Sequence, residues 1–173
     1  MSFSFVVAGR IPMSPATYET WLDAPVPGSA IIDNPGDMFA GWYWDDRARP
    51  ENWSNAPAGA TPREIVATRD PEDTITLVRH ERGALEAYLW TPARSGHWTT
   101  GQQQLLLMLA GAGDTGHVLF WEDASGSLPS GDSLLALLRG SRFVPAADDL
   151  DQLIDALRPA EDAFFEIAAG ADD

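Results

Sequence analysis

The side chains best suited to moving a proton near neutral pH are His80, His97 and His117, with Asp114 three residues before the last of them. No histidine lies three or four positions from another and no H-E-x-x-H occurs, so the metal-ligand spacings are missing and no metal is expected. Asp114, His117 and His97 make an acid–base site only if the fold brings them together. No serine sits in G-x-S-x-G, and the carboxylate pairs Asp45-Asp46 and Asp148-Asp149 have nothing beside them to split acid from base roles. The segment Gly111-Ala112-Gly113-Asp114-Thr115-Gly116 has the G-x-G-x-x-G spacing. A dinucleotide site needs a strand before the glycines and a helix after them, so that helix-terminal N–H groups meet the pyrophosphate. Here the pattern reads helix, glycines, strand, which is a turn. No catalytic residue and no cofactor is expected.

Asp114-Thr115-Gly116 also resembles the triplet of aspartic proteases. That chemistry needs two carboxylates sharing a proton. This chain has one triplet, followed by His117 and Val118.

Two constellations suit binding better than catalysis. Trp42-Tyr43-Trp44-Asp45-Asp46, with Trp53 nearby, joins aromatic faces to carboxylates, a combination that grips arginine-rich surfaces by stacking and ion pairing. The same pattern also describes a strand with buried rings and exposed acids. Asp148, Asp151 and Asp155, continued by Glu161 and Asp162, fall on one side of a helix, opposite its leucines. That side reads either as a solvated face or as a docking face, with Asp148 and Asp149 also suited to a helix N-terminus.

Charge decides which partners either surface could meet. The 173 residues hold 26 acids against 11 basic residues, a net charge of −15, and every basic residue is arginine. The arginine-only usage fits a GC-rich bacterial genome. The acidity repels phosphate backbones and anionic lipid heads and attracts basic surfaces, which argues against nucleic acid and membrane as partners. It is densest at the end: residues 132–173 carry a net −7, almost as much as the −8 of residues 1–131. With no cysteine, disulfides and thiolate metal sites are excluded. The first residues lack a basic segment and a cleavage site, and the longest apolar run, Leu105 to Ala112, is far below the ~20 residues of a membrane span. A cytoplasmic location is expected.

The elements that must position these residues form a single α+β domain over 1–173, a largely antiparallel sheet with helices packed on it. Phe3, Phe5 and Val7 alternate as an opening strand. Ser14-Pro15 caps a helix over Thr17 to Asp23, and Thr61-Pro62 caps another over Arg63 to Arg69. Residues 24–62 between them read as a long irregular excursion, with a strand at Gly41 to Trp44. Thr74 to Glu81 and Ala84 to Trp90 flank Arg82-Gly83 as a two-residue hairpin, with Arg79 opposite Glu86 in a favourable cross-strand pair worth a few tenths of a kcal/mol. Both faces of the hairpin are apolar, so the sheet is expected to be covered on both sides. Gln103 to Ala110 reads as a helix, and His117 to Glu122 as a central strand. Asp132 caps a helix over Ser133 to Leu138 ending at Gly140. In 148–170, Leu150, Leu153, Ile154 and Leu157 follow helical spacing, Arg158-Pro159 breaks the helix, and a last helix runs from Pro159 to Gly170.

In size, acidity, missing cysteine, scattered tryptophan and lack of an enzyme motif, the whole chain resembles the small bacterial immunity proteins of polymorphic toxin systems. The resemblance is one of style and transfers no residue. It implies a toxin inhibitor, not an enzyme, that binds a cognate basic toxin domain and occludes its active site. Trp42, Trp44, Asp45, Asp46, Trp53, Asp148, Asp151 and Asp155 are the candidate contacts. The chain also resembles acidic effector-specific secretion chaperones, which act as homodimers. The remaining alternative is a small enzyme with its site near Asp114 and His117.

Overall fold

The computed structural model describes residues 3–28, 31, 59–68, 75–93, 100–113, 116–122, 136–139, 142–144 and 150–171. The elements are β1 (Phe3–Pro12), α1 (Pro15–Leu22), α2 (Pro62–Thr68), β2 (Ile75–Glu81), β3 (Ala84–Ala93), α3 (Thr100–Ala110), β4 (His117–Glu122), β5 (Ala136–Arg139), β6 (Arg142–Val144) and α4 (Leu150–Ala171). Strands β2-β3-β1-β4 form one antiparallel sheet, β5 and β6 a separate hairpin, and the fold is a single α+β domain.

Local chemistry explains the helix starts. The Ser14 side chain accepts a hydrogen bond from the Thr17 N–H at 3.1 Å, and Pro15 opens α1 where no donor is needed. At α2, Thr61 Oγ1 accepts from the Glu64 N–H while a Glu64 carboxylate oxygen accepts from the Thr61 N–H, each at 3.2 Å. This reciprocal capping box satisfies two helix-end donors at once. Arg63 then clasps the two helices, with Nε 2.9 Å from Asp23 Oδ1 and Nη2 3.1 Å from Glu19 Oε2. The hydrogen bond from Arg63 holds the Asp23 carboxyl below the usual aspartate range. A depressed folded-state value means that this contribution to stability is complete above the unfolded pKa of about 3.9 and is lost as pH falls through the folded value. An NMR titration of Asp23 should therefore show a midpoint below about 3.9, moving up toward it in Arg63→Met. The clasp is solvent-exposed, so its effect on global stability is small.

The β2–β3 hairpin turns on Arg82 (φ 52°) and Gly83 (φ 75°), two positive φ values in succession, as the tight turn matching strand twist requires. Its register puts Arg79 opposite Glu86 and Leu77 opposite Tyr88. Residues opposite one another share a face, so the register sorts the core into two halves. Val7, Ile11, Leu85, Ala87, Leu89 and Val118 face α1, α2 and α3 in one buried cluster. Ala8, Leu77, Tyr88 and Leu119 occupy the other face, and all four are buried. There α4 packs across all four strands with Ile154, Leu157, Ala160 and Phe164 buried. The expected two-sided cover is present.

The end of α3 shows how its buried carbonyls are satisfied. The Gly111 N–H bonds to Leu107 O and the Ala112 N–H to Leu109 O, each at 3.1 Å. Met108 O, between them, accepts from the Trp21 indole Nε1 of α1 at 3.1 Å. Trp21 thus fills the core and caps the neighbouring helix.

Three expectations are corrected. His117–Glu122 is not central: β1 and β3 are, and β4 closes one side of the four-stranded sheet. Its residues are apolar on both faces because helices cover both faces, which edge and central strands share alike. Ser133 to Leu138 is not a helix where described, since Ala136–Arg139 is a strand paired with Arg142–Val144. Leucine favours helix locally, but pairing with Phe143 and Val144 prevails. Pro159 does not break the last helix; α4 runs continuously through it for 22 residues. Proline removes the donor that would reach Asp155 O, and Asp155 is exposed, so solvent can take that carbonyl. The buried stripe on both sides of Pro159 offsets the remaining cost. The Gly41–Trp44 strand lies outside the described residues.

Candidate partner-binding surface

Because α4 is continuous, its carboxylates can be placed on one cylinder. Asp151, Asp155, Asp162 and Glu166 are exposed and fall at i, i+4, i+11 and i+15, which is one stripe about 22 Å long at 1.5 Å per residue. The stripe faces away from Ile154, Leu157 and Phe164, which seat the helix on the sheet. Asp151 and Asp155 therefore stand on the outward face that helical spacing assigns them. Glu161 does not: it is buried, and Arg158 Nη1 lies 3.0 Å from its Oε1. Glu166 takes its place. Counting across a supposed helix break at Pro159 hides that position, whereas unbroken helical spacing from Asp151 finds it. Arg158 is the described cation on this side of α4, and part of its charge is spent on Glu161.

Trp42, Trp44, Asp45, Asp46, Trp53 and Asp148 lie outside the described residues, as do Asp114 and His97. His117 is exposed at the start of β4, opposite Arg10 of β1. His80 has Nε2 2.8 Å from Met13 O; a carbonyl only accepts, so this nitrogen donates, and the ring also packs against Tyr18. That is a structural role. Among the described residues, no three His, Asp or Glu side chains gather as a metal site. No described helix is long and apolar enough to cross a membrane.

The glycine motif has a packing explanation at its last position. Chain order is α3, glycines, β4, and a Cβ at Gly116 would meet Ile11 Cγ1 at 2.8 Å, Arg10 O at 3.0 Å and Ile11 Cα at 3.2 Å. Two of those atoms are backbone, so they cannot rotate away. The glycine lets the chain approach β1. Gly116→Ala should accordingly cost about 1–3 kcal/mol in urea unfolding, whereas Gly170→Ala, with open space around it, should not destabilise.

The Arg79–Glu86 pair forms in the register expected from the sequence, but inside the fold. Glu86 is fully buried beneath α4, with Oε2 3.3 Å from Arg79 Nη2, and the same nitrogen reaches Pro159 O at 3.4 Å. Glu86 Oε1 and Arg79 Nε are buried without a hydrogen-bond partner. Register continues the polar row from Glu86 to Arg10 and His117. Hairpin spacing reveals the pairing; only the helix laid over it reveals the burial.

No family model matches the chain, and no curated protein or solved structure matches it either.

Proposed function

We propose that this protein is a cytoplasmic immunity or inhibitor protein that binds a basic toxin domain and occludes its active site. The observation that carries the reading is the outward stripe of Asp151, Asp155, Asp162 and Glu166 on a helix whose opposite side is anchored in the core. On a chain of net charge −15, that stripe is a rigid and concentrated source of negative potential. Such a surface speeds encounter with a cationic partner and sets its orientation, while aromatic anchors supply the short-range energy. Trp42, Trp44 and Trp53, flanked by Asp45 and Asp46, have the composition for that second role, and Asp148 adds a further carboxylate to the sequence just before α4.

The test starts from the reading frames adjoining this one. A basic toxin domain encoded there should arrest growth when expressed alone and lose its effect when this protein is co-expressed. If no adjoining frame encodes such a domain, or if co-expression gives no rescue despite soluble expression of both, the reading fails.

A further inference from the structure

The two covers of the sheet differ in kind. On the side of α1, α2 and α3 the seam is apolar, and the buried carbonyls at the end of α3 find donors. On the side of α4 a buried carboxylate and a guanidinium sit in the seam, each with one polar atom unpartnered. The bonds that tie them are long, 3.3 Å to Glu86 and 3.4 Å to Pro159 O, and both use the same Arg79 nitrogen. They meet α4 at the one residue where its own hydrogen-bond ladder lacks a donor. Unsatisfied buried polar atoms regain solvent when a seam opens, so opening is less costly here than across the apolar seam.

We propose that α4 is a separable cover, latched to the sheet by Arg79 at the Pro159 carbonyl, that opens under native conditions while the rest of the fold stays closed. Opening would hydrate Glu86 Oε1 and Arg79 Nε and uncover the Tyr88 face of the sheet. Arg79 is a positioning residue in this device, holding a helix carbonyl and a sheet carboxylate together. The inference does not depend on the partner-binding reading.

Native-state hydrogen exchange on the full chain tests it, read at Leu157, Ala160, Glu161 and Phe164, which are buried and far from the fraying ends of α4. In the wild type these amides should be at least ten-fold less protected than buried amides of β3 and α3. Arg79→Met/Glu86→Leu, which makes the seam apolar, should close that gap by ten-fold or more, with β3 protection changed far less. Pro159→Ala, which restores the missing donor, should slow exchange at the same amides. Equal protection of α4 and β3 in the wild type, or a gap that survives the double substitution, would overturn the proposal.

Discussion

Replacing Phe164 with alanine is expected to cost about 3–5 kcal/mol of folding stability. Its ring is 2% exposed and lies 4.5 Å, centroid to centroid, from that of the fully buried Tyr88. Truncation removes an aromatic contact worth about 0.5–1.5 kcal/mol beyond area burial and opens a cavity between helix and sheet. The adjacent Phe165 supplies the control. It is 37% exposed and meets Phe164 edge-on, so Phe165→Ala should cost about 1 kcal/mol or less. Urea unfolding of both variants measures the difference. Equal losses would mean that α4 does not present Phe164 to the sheet.

Trp21→Ala should cause a loss of similar size on the opposite face, about 3–5 kcal/mol. Two effects combine at this position, and a second variant separates them. Trp21→Phe keeps most of the apolar contact but removes the indole donor from Met108 O. A buried carbonyl left without its donor costs about 1–3 kcal/mol, so the phenylalanine variant should fall between wild type and alanine. If Trp21→Phe is as stable as wild type, the indole does not act as a cap for α3.

These two positions also show which parts of the fold were legible in the amino-acid order. The starts of α1 and α2 and the β2–β3 turn are written in short-range chemistry: Ser14-Pro15, Thr61-Pro62 and Arg82-Gly83 each satisfy a local geometric demand. Where local preference and tertiary packing disagree, short-range reading fails. Pro159 signals a break, but Ile154, Leu157, Ala160 and Phe164 keep one stripe buried through it. Ala136–Arg139 is leucine-rich and signals helix, but pairs as a strand. The same conflict shaped the candidate surface. Asp151 and Asp155 follow from helical spacing alone, while Glu166 joins them only in an unbroken helix, and Glu161 leaves them because it falls four residues after Leu157 and seven after Ile154, on the buried side. The burial of Glu86 depends on a helix more than sixty residues away in sequence, which no local pattern encodes.

The most direct test of the acidic-face account is the association rate with the proposed basic toxin domain, measured against ionic strength. Wild type should be compared with a variant carrying Asp151→Asn, Asp155→Asn, Asp162→Asn and Glu166→Gln, all at exposed positions that leave the core untouched. Steering by this stripe predicts an association rate lower by about ten-fold or more at low salt, and a flatter salt dependence, with the unfolding midpoint preserved. An unchanged rate and salt slope in the folded variant would contradict it.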